Sequence, residues 1–368
     1  MKKCYFITDQ RYISSNNAEG GVKLCTVEFL NLFKVGYDVE VIEVKFRKDF
    51  AFKITAKLGV DAYNLYSEKE FLAKIEKIQV LEPTVFAFNM TQTMNLTKIV
   101  KQRFGNLAKV IMLSHGNDSG DFVHNFTRFN SSQPLLKRIT SSYKLGNLLK
   151  KEASYKKDYI DLVLTVSPVE DAIEKWLNAK QTMMIPRVIT ATTIKHTPKR
   201  GRIGFIGDMT HHPNYYAIEA IANKLQQENI AVDFVLIGGG GETLPVKYPF
   251  IRYLGFLEED DLRAEVGTWS FFLNLAFYYS RGVSTKLGKA LGLGLPIIST
   301  AIGTRGYEWK EGQILVGNNP SEIVELIKSE AFDQQKIDEA IRQTELIAKS
   351  SPTHSQILNK LTPLIDSL

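Results

Sequence analysis

Residues 281–298 read RGVSTKLGKALGLGLPII, from Arg281 to Ile298, and their order decides how the second half of the chain is built. A polar turn leads into a short helix, a Gly-Leu-Pro break follows, and a buried strand begins. Ser284 and Thr285 suit a helix N-cap, since a hydroxyl there can accept from the first free backbone N–H groups. Lys286 comes next, at the positive end of the helix dipole, where a cation is unfavourable unless an anion shares the site. Gly292 and Gly294 permit close backbone approach, and Pro296 opens the strand IISTA. Free amides, a basic side chain and a helix N-terminus make a phosphate cradle. A plain amphipathic helix with a solvated lysine fits the same letters.

Outward from this stretch, strand and helix patterns alternate as in parallel α/β domains. Cys4–Thr8 reads as a strand, Gly20-Gly21 as a sharp break, Val22–Lys34 as a helix and Val39–Val44 as the next strand. Thr84–Asn89, Val110–Ser114 and Leu162–Ser167 are further buried strands, and a polar, basic region from Asn117 to Lys157 interrupts the rhythm. Thr197-Pro198-Lys199-Arg200-Gly201 reads as a linker, followed by strands at Arg202–Ile206, Val232–Ile237, Ile251–Leu254 and Ser270–Leu275. The tail from Phe332 is helix-rich, with a break at Ser351-Pro352.

The 281–300 segment resembles the nucleotide-sugar signature of glycosyltransferases with the GT-B fold, especially glycosyltransferase family 4 (group 1). Gly282, Thr285, Lys286, Leu287, Ala290, Leu291, Gly294, Pro296, Ser299 and Thr300 fall on the pattern G-x-x-T-K-L-x-E-A-L-x-x-G-x-P-V-V-S-T. The stretch 203–214, IGFIGDMTHHPN, resembles the family's first strand and loop of the second domain, with Gly207 at the strand end. Gly238 matches a V-x-G-x-G turn, and YLGFL, with Phe256, the element that lines the base pocket. Three positions depart from the pattern. Lys289 and Arg281 stand where the family has glutamates, and Asp208-Met209 where an arginine often follows the glycine.

The first half resembles the family more loosely. Glu19-Gly20-Gly21 resembles the loop whose backbone faces acceptor and donor phosphates, although a tight turn also explains two glycines. His115 follows a buried strand, at the edge where open α/β sheets hold ligands. The resemblance gives such a histidine contact with the transferred sugar or the acceptor.

Composition bounds the alternatives. A chain of 368 residues with 44% hydrophobic and 23% charged residues is a soluble, two-domain globular type. Two cysteines, Cys4 and Cys25, build no disulfide framework and point to a reducing, cytoplasmic setting, and the bias toward Lys, Ile and Asn hints at a bacterial source. Residues 1–198 hold 29 Lys and Arg against 20 Asp and Glu, a balance of +9, so the rest of the chain, whose net charge is +6, carries −3. Such a basic half fits peripheral contact with the anionic inner face of a membrane. No basic stripe with interleaved aromatics points to nucleic acid. His211-His212 and the Glu258–Asp261 run give no metal-ligand spacing, and no G-x-S-x-G or P-loop motif is present.

The expected protein is therefore α/β, of GT-B type, with two Rossmann-like domains whose parallel sheets face a central cleft. Domains are expected at 1–198 (acceptor side) and 199–345 (nucleotide-sugar side), with 346–368 packing back on the first. The expected reaction moves a sugar from a nucleoside-diphosphate-sugar to a hydroxyl of a glycan, lipid-linked or protein acceptor. It is metal-independent, needs no further cofactor and retains configuration. Lys286 and His115 carry the chemistry. Gly20, Gly21, Gly207, Gly238, Phe256, Arg281, Ser284, Thr285, Lys289 and Glu308 bind the donor. Glu308 is the candidate to replace the missing ribose-binding glutamate. A catalytically silent GT-B partner of another transferase, and more remotely a nucleotide-sugar epimerase, are the alternatives.

Overall fold

The computed structural model describes residues 1–14, 20–58, 63–129, 134–192, 194–279 and 281–368. Glu19 lies outside them. The chain divides into two units: 1–186 with 280–282 and 353–368, and 187–279 with 283–352.

The first unit runs β1 (Lys2–Asp9), α1 (Gly21–Lys34), β2 (Tyr37–Val44), α2 (Phe50–Leu58), α3 (Glu68–Ile75), β3 (Thr84–Asn89), α4 (Thr97–Phe104) and β4 (Ala108–Leu113). It continues through α5 (Asp118–Phe129), α6 (Leu135–Tyr159), β5 (Leu162–Thr165), α7 (Pro168–Trp176) and β6 (Thr182–Met184). Its sheet order is β2-β1-β3-β4-β5-β6, with every pairing parallel. Sequences such as TVFAFN in β3 are buried at all six positions, as a strand covered by helices on both faces must be.

The second unit begins with β7 (Lys199–Ile206), α8 (His212–Gln227), β8 (Asp233–Ile237), α9 (Leu244–Lys247), β9 (Ile251–Tyr253), α10 (Glu259–Val266) and β10 (Trp269–Asn274). Then come α11 (Thr285–Gly292), β11 (Ile297–Ser299), α12 (Ala301–Thr304), β12 (Leu315–Val316), α13 (Pro320–Glu330) and α14 (Gln334–Ser350). Its order is β12-β11-β10-β7-β8-β9, again parallel throughout. Gly204 of β7 lies so close under Trp269 that an added Cβ would fall 2.2 Å from the indole.

Each sheet reverses its direction of growth once, beside β1 in the first unit and beside β7 in the second. Ligands of open α/β sheets bind beyond the strand C-termini at such switch points. Asp9 and Asn89 end the strands that flank the first, Ile206 and Asn274 those that flank the second.

Two boundaries differ from the sequence expectation. Residues 187–198 belong with the second unit because their backbone is bonded to it: Arg187 N–H donates to Gly306 O, Thr192 N–H to Gly292 O and Thr197 N–H to Gly267 O, at 2.7–2.8 Å. At the other end, α14 runs on to Ser350, and the return starts at Thr353 rather than 346. The last helix, α15 (His354–Asp366), opens with a capping box of Thr353 and Gln356. It packs in the first unit: Leu358 fills the space beside Gly36, and Asp366 pairs with Lys2 at 2.5 Å.

Candidate active site

In the second unit the 281–298 reading holds at its centre. Ser284 is the N-cap of α11, and its Oγ accepts from Leu287 N–H while donating to Asn274 Oδ1 at 2.6 Å. Asn274, the polar residue that ends the apolar strand β10, also donates to Ser299 Oγ at 2.8 Å. The helix start is thus pinned to the strand ends at the switch point.

Lys286 is half-buried, with its Nζ donating to Asn214 Oδ1 at 2.7 Å and lying 4.3 Å from the centre of the Phe205 ring. Desolvation lowers its ammonium from the ordinary lysine value to about 7. Asn214, on α8, donates in turn to the carbonyl of Asp208 at 2.8 Å, so one amide orients both the lysine and the loop after β7. That loop begins at Gly207, where a Cβ would fall 2.9 Å from the Phe205 ring. It packs on the glycine turn after β8. Gly238 has φ +129°, and a Cβ there would stand 2.1 Å from Gly207 O. Tyr253 donates its hydroxyl to Gly238 O at 2.7 Å. Phe256, after β9, leaves 84% of its surface exposed while its ring borders Gly239, an unusual state for so apolar a side chain.

Tyr307 completes this neighbourhood. Its buried hydroxyl donates to Ser284 O at 2.7 Å and accepts from Gly288 N–H at 3.0 Å. A Cβ on Gly288 would sit 2.7 Å from that oxygen. Glu308, next in the chain, is exposed. Lys289 points away to α10 and pairs with Glu259 at 2.9 Å, both groups being well exposed. His212 Nδ1 meets Tyr278 OH at 3.0 Å.

In the first unit, α1 starts at Gly20-Gly21 with no side-chain cap on its first amides. Gly20 has an ordinary extended φ of −97°, and a Cβ there would meet none of the described residues within 4 Å. His115 is buried just past β4, its Nε2 2.9 Å from Asn89 Oδ1. Asn89 Nδ2 donates to Thr8 and Thr26 hydroxyls at 3.0 and 2.9 Å, which leaves Oδ1 as acceptor and assigns the ring proton to Nε2. Arg281 groups with this unit, bound to Asp118 and, at 2.7 Å, to Asp121. Its guanidinium is therefore engaged by two carboxylates of α5. An open cleft of about 1030 Å³ lies at the ends of β1 and β2, lined by Asp9, Arg11, Phe46, Arg47, Asp49 and Glu68 among others.

Sequence reasoning missed Asn214, Tyr307 and the polar partners of His115. Asn274, which interrupts the apolar run FFLNLAF, was the one visible signal.

Two all-parallel, six-stranded, helix-flanked sheets are the architecture of the GT-B class, and the chain has that fold. Residues 200–329 match the family model "Glycosyl transferases group 1", which covers the second unit's site. No curated protein matches the chain at the sequence level. Among solved structures, the chain is similar to Anabaena HepE in complex with UDP and glucose, at 12% identity, TM-score 0.61 and full coverage of both chains. It is also similar to sucrose-phosphate synthase from Thermosynechococcus elongatus, at 14% identity and TM-score 0.61, over 100% of this chain and 99% of that one. Staphylococcus aureus TarM, in complex with fondaparinux, alpha-GlcNAc-glycerol and UDP, shares 13% identity and TM-score 0.56 over 82% of this chain and 59% of its own. At such identities these likenesses establish the fold.

Proposed function

We propose that this protein transfers a sugar from a nucleoside-diphosphate-sugar, with UDP as the first nucleotide to test, to a hydroxyl acceptor, with retention of configuration. The observation that carries the reading is Lys286, oriented by Asn214 over Phe205 beside the amide end of α11. As the glycosidic bond breaks, the electron pair leaves with the nucleoside diphosphate. Lys286 and the first backbone amides of α11 meet that growing charge, each charge-assisted hydrogen bond contributing about 1.5–3 kcal/mol. In this reading protein groups, rather than a divalent ion, neutralise the leaving group. Phe256 stacks on the base, and His115 orients the sugar or acceptor. Gly20 and Gly21 leave the backbone open to the acceptor side, where the 1030 Å³ cleft gives an acceptor room.

The location proposed is the cytoplasmic membrane surface. No helix among the described residues is long and apolar enough to cross a membrane. The first turns of α6, however, expose Leu135, Leu136, Ile139 and Tyr143 along one face, with Lys137, Arg138 and Lys144 nearby. Apolar and basic groups so mixed suit an anionic bilayer surface.

Lys289 paired with Glu259, and Arg281 held by two carboxylates, favour a second reading: a silent partner that binds another transferase. A thermal-shift panel of UDP, GDP, CDP, ADP and dTDP separates the two. Stabilisation by one of them supports a donor site. Silence across the panel removes the enzyme reading.

A further inference from the structure

Two residues of the first unit, Lys156 of α6 and Glu174 of α7, have side chains with 0% exposure and meet at 2.6 Å. Removing two charges from water is costly, and an apolar pair of similar volume is often as stable or more so. Stability alone does not explain them. What the pair touches is more informative. Glu174 Oε1 accepts from Ser114 Oγ at 2.7 Å, and Lys156 Nζ donates to Asn117 Oδ1 at 2.6 Å. Ser114 and Asn117 bracket His115 and Gly116. Ser114 Oγ also receives Gly116 N–H at 3.3 Å, and Thr91 Oγ1 donates to Gly116 O. One turn back along α6, Glu152 accepts from Ser119 N–H at 3.1 Å and from its hydroxyl, which holds the start of α5.

We infer that Lys156 and Glu174 are positioning residues for His115: the buried pair clamps both ends of Ser114–Asn117 and so keeps the imidazole against Asn89 in its Nε2–H form. This deepens the proposed function, on which the role of His115 rests. The pair does not touch the sugar; it acts through the loop.

The test uses the full chain labelled with ¹⁵N-histidine, the His115 signals being assigned by their loss in His115→Gln. In Lys156→Met/Glu174→Leu both tethers vanish while the volume stays filled. The expected result is a folded protein whose His115 ring averages between tautomers instead of showing one Nε2–H form. Nucleoside-diphosphate release from a sugar nucleotide of the base selected by the thermal panel should fall on the order of 10- to 100-fold in kcat, with KM within about threefold. A folded double variant that keeps the single tautomer overturns the inference, whatever its activity. A changed tautomer with unchanged kcat leaves the clamp standing and removes His115 from the reaction. Should the double variant fail to fold, Ser114→Ala cuts one tether and keeps the ion pair; retention of the parent signal there is equally fatal.

Discussion

Lys286 of α11 donates to Asn214 of α8 at 2.7 Å, which ties the lysine to the loop after β7. A lysine brought to about 7 by desolvation is a group that gains from an arriving anion. Replacing it by alanine removes that gain. Lys286→Ala should lower turnover by about 10²–10³, the loss typical of one charge-stabilising group, while its melting temperature stays level or rises. A near-normal rate of sugar transfer or donor hydrolysis would exclude this site.

The same residue sets a pH dependence. In the free protein Lys286 is charged below about pH 7 and neutral above it, whereas a bound diphosphate favours the charged form. Binding above pH 7 must therefore take up a proton, and affinity should weaken by up to about tenfold per pH unit. An unfolded lysine keeps its proton to roughly pH 10, so between these values the unfolded chain binds more protons, and the ligand-free protein gains stability as pH rises. Calorimetry with UDP between pH 6.5 and 9, in two buffers of different ionisation heat, reads the proton uptake directly. Lys286→Met should make the curve flat, and a flat curve in the parent would refute the assignment.

Tyr307→Phe deletes one oxygen that serves both Ser284 O and Gly288 N–H. Leaving these part-buried partners short of a bond should cost about 1 kcal/mol in urea unfolding. Donor KM should rise with it, because the helix start that carries Lys286 loses its anchor. Unchanged stability and KM together would show that Tyr307 is a bystander.

Gly238→Ala combines a left-handed backbone with a Cβ 2.1 Å from Gly207 O. The loop must move, at a cost upward of ~3 kcal/mol. Reduced soluble yield, or a folded protein without a UDP-induced thermal shift, is the expected outcome; parent-like behaviour in both would show the two turns to be independent.

The exposed face of α6 predicts co-flotation with vesicles containing a third phosphatidylglycerol and weaker flotation with neutral ones. Leu135→Ser/Leu136→Ser/Ile139→Ser should abolish it without altering the melting temperature, since these side chains lie on the surface. Equal flotation of the triple variant would rule the face out.

The sheets were legible because apolar runs such as FFLN and TVFAFN have no other use than buried strands. Ser284 was legible as a cap because capping is a local matter. Pairings across the sequence were not. Lys289 takes a partner 30 residues away in Glu259, Arg281 one 163 residues away in Asp118, and periodicity says nothing of either. Lys156 reads as one more solvated lysine in a basic helix, yet it is wholly buried, because Glu174 arrives from another helix. The boundary expected at Pro198 moved to Pro186 for a related reason: turn residues mark a bend, whereas unit membership depends on backbone bonds to Gly306, Gly292 and Gly267.

The placement of α15 sets an order of events during synthesis. Its Leu358 and Asp366 fill positions beside Gly36 and Lys2, in a unit whose main body ends at Pro186. At ordinary translation speed the ribosome needs on the order of 10–30 s to pass from that residue to the last helix. Through that interval the nascent first unit waits with the surface beside Gly36 and Lys2 uncovered.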